Sequence, residues 1–402
     1  MAPEGWRLST IEEVAAVSSG GTPSRKEASY WGGDIPWVTT AEVNSKTITS
    51  TTQKITEEGL ENSSAKLFPA RTILMAMYGQ GKTRGQVARL GIEASTNQAC
   101  AAILLNEGSD TDYYYYFLES RYVHIRNMAN TGGQENLSAG IVKSIQVPVP
   151  PLPEQKKIAQ ILSTWDQAIT ATKRLLENSQ QRKKGLMQQL LTGKKQLPGF
   201  DGEWKEGRLS DLCGFRGGSA FKEIHQGVQS GELPFIKVSD MNLAGNEVYI
   251  QNANNWVSCG DAKAMRAKAF PKESIVFAKV GAALLLNRRR ILVRETIVDN
   301  NMMAALPNIE TSSEYLYQVL LMIDFAKFVQ DGAVPSINQS DISSFKIKHP
   351  ELEEQKVIAR ILHTADQETA RLQKLLGFIR QEKKALMQQL LTGKRRVQVE
   401  AA

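Results

Sequence analysis

EQKKIAQILSTWDQ, residues 154–167, returns as EQKVIARILHTADQ at 354–367, and KKGLMQQLLTGK at 183–194 returns as KKALMQQLLTGK at 383–394. The displacement is 200 residues in both pairs, and 24 of the 41 positions from 154 to 194 are identical to their mates. Identity at that level within one chain marks an internal duplication, which decides the architecture before any single motif does. Outward from this segment the match fades but persists. LSAGIVKSIQVPVPPL (137–152) meets INQSDISSFKIKHPEL (337–352), and GDIPWV (33–38) meets GELPFI (231–236). LFPARTILMAMYG (67–79) meets AFPKESIVFAKVG (269–281), and STNQACAA (95–102) is paired with VDNNMMAA (298–305). The order is variable domain, near-identical segment, variable domain, near-identical segment.

The near-identical segments read as long helices. Prolines 151 and 153 and Glu154 suit a helix start. Ile158, Ile161, Leu162, Trp165, Ile169, Leu175, Leu176, Leu186 and Leu190 then recur every three to four residues, and Gly193 suits a left-handed cap. The second copy carries Ile358, Ile361, Leu362, Leu372, Leu375, Ile379, Leu386 and Leu390 before Gly393. The spacing predicts two helices of about 38 residues, each about 57 Å long. The opposite face is rich in Lys, Arg, Gln and Glu, so the apolar stripe is best buried along a second stripe, and the other copy is the obvious partner. The expected fold is α+β: two globular domains separated by two long antiparallel helices forming a coiled coil, with an internal pseudo-two-fold repeat. Expected boundaries are 1–150 for the first domain, 151–195 for the first helix, 196–350 for the second domain with a linker at 194–205, and 351–402 for the second helix and tail. LMQQLLTGK is more alike between copies than heptad packing requires. Leu186, Met187, Gln188, Leu190, Leu191 and their mates Leu386, Met387, Gln388, Leu390 and Leu391 are therefore expected to dock two copies of a partner.

Composition narrows the function. A net charge of +7 in 402 residues points to an anionic partner, of which nucleic acid is the commonest. Three scattered cysteines give neither a disulfide framework nor a zinc site and agree with a reducing compartment. The N-terminus lacks a signal-peptide pattern, and no apolar run approaches about 20 residues, so a cytoplasmic protein without a membrane span is expected. The stretch YGQGKTRG (78–85) mimics a phosphate-binding loop. Such a loop must open a helix, yet Gly85 and Gly91 would interrupt any helix there, and the second copy reads AALLLNRRR. It is read instead as a strand-to-loop turn whose loop differs between copies. Glu-x-Lys at 154–156 and at 354–356, after Pro350-Glu351, resembles a nuclease motif but sits at helix starts. The run Tyr113–Tyr116 is read as helix packing rather than a base-stacking platform.

Glycine-rich turns carrying basic and amide side chains are the candidate DNA-reading loops, because such groups hydrogen-bond base edges and phosphates. In the first domain they supply Thr22, Ser24, Arg25 and Lys26; Tyr78, Gln80, Lys82, Thr83 and Arg84; and Gln134 and Asn136. In the second they supply Arg216, Ser219 and Lys222; Lys279, Asn287, Arg288, Arg289 and Arg290; and Ser336 and Asn338. No catalytic or metal-binding residue is expected.

The doubled PPLPEQKKIAQIL…LLTGK and PELEEQKVIARIL…LLTGK segments, with GDIPWV, make the chain resemble the DNA-specificity subunit of type I restriction-modification systems over nearly its whole length. The resemblance implies a non-catalytic subunit of an adenine-specific methyltransferase and restriction complex. Each target-recognition domain would read one half of a bipartite duplex, and the helices would fix the gap. It implies two methyltransferase subunits as partners, joined in some systems by two restriction subunits. It also implies that S-adenosylmethionine, ATP and magnesium sit on those partners and not on this chain. On the residues alone two other readings stay open. One is a nucleotide-driven DNA-processing enzyme using the GKT loop at 81–83, and the other is a stand-alone two-headed DNA-binding regulator.

Overall fold

The computed structural model describes residues 3–44, 47–79, 81–129, 136–329 and 334–399. The chain divides into two compact units, 1–173 with 374–402 and 174–373. In the first, strands β1 (Ala15–Ser19), β2 (Thr47–Ile48), β3 (Ile73–Ala76), β4 (Val87–Leu90) and β5 (Cys100–Leu105) form a sheet in the order β1-β5-β3-β4-β2. Helix α1 (Thr111–Ser120) follows, then the long helix α2 (Leu152–Leu190). The second unit repeats this with β6 (Cys213–Gly217), β7 (Tyr249–Ile250), β8 (Ile275–Ala278), β9 (Arg290–Leu292) and β10 (Met302–Pro307), in the order β6-β10-β8-β9-β7. Helix α3 (Ser313–Met322) and the long helix α4 (Leu352–Leu390) complete it. In both sheets every neighbouring pair is antiparallel except the outermost, β2 with β4 and β7 with β9.

The strand ILMA reads as a continuous apolar run because both its faces are covered. Ile73 and Met75, with Ala101 and Ile103 of β5, face the core that includes α1. Leu74 and Ala76, with Cys100 and Ala102, face the opposite core. The second unit splits Ile275 and Phe277 from Val276 in the same alternation. Tyr113–Tyr116 are all buried in the first core, as packing residues of α1. The sheet register corrects one pairing made from sequence. Cys100 lies opposite Ala76 and Met302 opposite Ala278, so Cys100 corresponds to Met302 and the STNQACAA alignment is one residue out. Short segments of small and apolar residues tolerate such a slip, whereas hydrogen-bonded register does not.

Each long helix spans 39 residues and contributes one half to each unit. The helix halves run antiparallel within each unit. In the first, the Lys383 ammonium lies 3.0 Å from Asp166, which also accepts the Tyr116 hydroxyl at 2.9 Å. In the second, Lys183 pairs with Asp366, and Gln318 donates to the same carboxylate at 2.8 Å. The helix starts repeat as well. Gln155 accepts the Asp110 amide at 2.8 Å and donates to the Pro150 carbonyl at 2.9 Å. Gln355 accepts the Ser312 amide at 3.1 Å and donates to Pro350 at 3.0 Å. Glu154 accepts the Trp6 indole N–H at 3.1 Å and the Arg396 guanidinium, and Glu354 accepts the Trp204 indole at 3.2 Å. These carboxylates are buried acceptors that tie each helix start to its unit, which accounts for the Glu-x-Lys pattern structurally.

The helix ends correct the expected partner surface. Leu390 and Leu391 are buried in the first unit's core, and Leu190 and Leu191 in the second's. Leu386, Met387, Leu186 and Met187 are half-buried against the same cores. Of the set, Gln188 and Gln388 remain exposed. The apolar half of LMQQLL is used within the chain, because each copy caps a domain of the same shape. Gly193 and Gly393 turn the chain at φ 70° and 69°, and Gly393 packs so closely on Pro3 that a Cβ would sit 2.3 Å from it.

Candidate nucleic-acid interface

The antiparallel order puts the end of β1, the end of β3 and the start of β5 at one edge of the first sheet. The loops leaving them converge there. The Gly21 amide donates to Thr96 O at 2.8 Å, Met77 to Ala99 O at 2.8 Å, and Leu137 to Met77 O at 2.9 Å. Thus the 20–26, 78–85 and 136–138 segments gather around the 96–100 turn. In the second unit, Ser219 donates to Val298 O at 2.8 Å, Lys279 to Asn301 O at 2.9 Å, and Ile337 to Lys279 O at 3.1 Å. The described parts of the candidate loops thus lie at one edge of each sheet. Gln80 and Gln134 lie outside the described residues.

The 20–26 loop of the first unit is built on tryptophans. The indole N–H of Trp37 donates to Gly21 O at 2.9 Å and that of Trp31 to Ser24 O at 3.1 Å. The Arg25 guanidinium stacks 3.6 Å from the Trp31 ring centre, which orients an exposed cation at low entropic cost. Thr22 bonds Gln98, while Ser24 and Lys26 are exposed. In the next loop Tyr78 and Lys82 are exposed and Thr83 half-buried. The Lys82 carbonyl accepts Tyr122 Oη at 2.7 Å and Gln86 Nε2 at 2.9 Å. A strand, β4, follows this loop. Among the described residues no helix opens from this loop, so Lys82 and Thr83 do not fit a phosphate-binding loop of that kind. Asn136 is half-buried.

At the second unit's edge Lys222, Arg288 and Asn338 are exposed, and Ser219, Lys279 and Ser336 are half-buried. Arg288 bonds Asn242. Arg290 donates to Met241 O at 3.0 Å, and Arg216 to Ala269 O at 2.7 Å while stacking 3.9 Å from the Phe270 ring centre, so both are partly consumed as struts. The side chain of Asn287 donates to Asp324 and accepts the Phe325 amide at 2.9 Å.

Two candidates are withdrawn from direct contact. Arg289 is 1% exposed, stacks 3.7 Å from the Phe325 ring centre and donates to Ile323 O at 3.0 Å. Burial depresses its guanidinium pKa to about 10. Arg84 is likewise buried. In each case a charged residue in a polar loop reads as surface, but the side chain folds back beneath the loop. Sequence reasoning also passed over Glu154, Gln155, Asp166 and Lys383 as anchoring groups, although their identity with Glu354, Gln355, Asp366 and Lys183 was the available signal.

Among the described residues no cluster of three or more His, Cys, Asp or Glu is placed to hold a metal ion, and no helix is long and apolar enough to cross a membrane. Two similar units, each presenting cationic loops at one edge of its sheet, define a duplicated domain with a loop-lined surface on each copy. The family described as "Type I restriction modification DNA specificity domain" matches residues 3–178 and again 201–376, and the chain belongs to it. The type I specificity subunit MjaIX of Methanocaldococcus jannaschii is 24% identical over 98% of this chain and 95% of its own. The EcoR124I/EcoR124II specificity subunit of Escherichia coli is 31% identical over 40% of each chain. The crystal structure of the type I S subunit from M. genitalium shares the fold with TM-score 0.62 at 16% identity, covering 97% of this chain and 99% of that one. The HsdS subunit of Thermoanaerobacter tengcongensis gives TM-score 0.52 at 16% identity, covering 98% of both.

Proposed function

We propose that each unit of this specificity subunit reads one half of a bipartite duplex through its loop edge. The paired helices then set the gap between half-sites. The observation that carries this is the repeated sheet frame whose edge keeps its hydrogen-bonded scaffold and changes its side chains. Loops on a rigid scaffold are where different sequences are read. Arg25, Lys26, Tyr78 and Lys82 are the proposed contacts of the first head, with Thr22, Ser24, Thr83 and Asn136 beside them. Lys222, Lys279, Arg288 and Asn338 are those of the second, with Ser219, Asn287 and Ser336.

The chain holds no reacting group of its own in this reading. Two methyltransferase subunits supply S-adenosylmethionine chemistry, and restriction subunits, where present, supply ATP and magnesium chemistry. The MjaIX and EcoR124I relatives are named as subunits of restriction enzymes, which supports such partners. Exposed Gln188 and Gln388, with the helix faces around them, are the proposed docking remnants of the LMQQLL repeats.

Mixing the chain with its methyltransferase subunit should give a two-to-one complex that prefers one bipartite duplex about a thousandfold over unrelated DNA at physiological salt. Equal affinity for every duplex would end the reading. Inserting about one heptad near Asn178 should lengthen the accepted gap or abolish binding. Unchanged spacing would remove the ruler role.

A further inference from the structure

The two reading edges share a frame but not a chemistry. Gly79 and Gly281, at φ 130° and 75°, open the matching loops after β3 and β8, and Gly85 and Asn287, at φ 82° and 51°, close them. Between them the first unit carries Lys82, Thr83 and Arg84, and the second carries Leu284, Leu285 and Leu286 at the same places. Leu284 is buried and anchors a four-residue helix, Ala282–Leu285. Leu285 and Leu286 are 47% and 57% exposed. Val334, 60% exposed, belongs to the segment that meets the start of this loop, where Pro335 O accepts the Gly281 amide at 2.7 Å and Ser336 bridges to Val280.

Apolar side chains held outward on a fixed corner need an occupant. A partner protein bound in two copies would need the same surface on both units, and this corner differs between them. The surrounding groups favour a polyanion. Arg288 is exposed on the same loop, and the Lys279 ammonium reaches back over Gly217, 3.4 Å from where a Cβ would stand. Leucine and valine can neither donate nor accept hydrogen bonds. The one apolar feature of base edges in the major groove is the thymine 5-methyl group.

We infer that the second unit reads thymine methyl groups through Leu285 and Leu286, with Val334 flanking, whereas the first unit reads polar base edges. This rests on the proposed reading of DNA by the loop edges. The test uses the chain assembled with its methyltransferase subunit and the duplex target mapped from methylated sites in the host genome. Thymines are replaced by deoxyuridine in one half-site at a time, which removes the methyl and nothing else. In one half-site the replacement should weaken binding about fourfold per contacted methyl, the factor that about 0.8 kcal/mol per buried apolar carbon implies. The exposed double variant Leu285→Ala, Leu286→Ala should bind thymine and deoxyuridine versions of that half-site alike, with methyl sensitivity in the other half unchanged. A variant that keeps full methyl discrimination, a target whose halves are both indifferent to the methyl, or a half-site without thymine overturns the inference. A complex that binds its target specifically while ignoring the methyl sinks this inference alone. One that fails to tell target from scrambled duplex sinks the proposed function.

Discussion

The first unit presents Arg25 stacked on Trp31 and a loop carrying Lys82 and Thr83, and the second presents exposed leucines at the places of Thr83 and Arg84. Beneath both edges lie the same sheet order, the same glutamine clamp at the helix start and the same Lys–Asp pair. Side chains differ where they reach solvent at the loop edge, and identity is greatest where two helices and a domain must fit together. A duplicated scaffold thus keeps its joints and varies its heads.

The joints can be broken first. Lys383→Met leaves Asp166 half of a lost ion pair in a site where the lysine side chain is only 9% exposed, and should destabilise the protein by about 3 kcal/mol in urea unfolding. Lys183→Met should cost less, because Lys183 and Asp366 are both better solvated. Equal losses would mean that the joints do not differ as their burial indicates. Arg289→Ala should come next, at about 2 kcal/mol, through lost packing on Phe325 and a carbonyl left without its donor. Its neighbour gives the contrast. Arg288→Ala should leave the urea midpoint unchanged while lowering the salt slope of DNA binding by about one. If the two arginines behaved alike, the division between strut and contact would fail.

Glu154→Gln should cost about 1.5 kcal/mol and Glu354→Gln about 1, since only Glu154 accepts a guanidinium as well as an indole. The smallest expected effect is chemical. Burial pushes the thiols of Cys100 and Cys213 up to about 12, so neither should react in the folded protein at pH 8. Exposed Cys259, also raised by desolvation and by Glu232, should be the single site alkylated, at a rate that climbs with pH as thiolate forms. Mass spectrometry showing early modification at Cys213 would mean that the second core opens.

How far the residues disclosed the structure depends on the physics of each signal. Helical periodicity and a doubled segment located the long helices almost to the residue, because an apolar stripe repeats over ten turns and averages out local noise. The places of the proposed reading loops are legible, since glycine-rich breaks punctuate a strand pattern. Their side chains are not. Arg84 and Arg289 look identical to surface cations in one dimension, and only the fold shows them turned inward. Leu285, Leu286 and Val334, the readers inferred above, are apolar and so lie outside a candidate set chosen for polar groups. Leu190, Leu191, Leu390 and Leu391 were assigned outward because nothing within one copy tells which domain its end will cap.

The first unit recruits residues 374–402 to finish its core, with Leu390 and Leu391 among its buried side chains. The second unit is continuous in sequence. On a ribosome adding about 5 to 20 residues per second, the N-terminal head therefore waits roughly 10 to 40 s, while the intervening 200 residues are made, before its missing strip arrives. The head synthesised first is the last to be completed, and a nascent chain stalled near its end would carry one finished head and one open to chaperones.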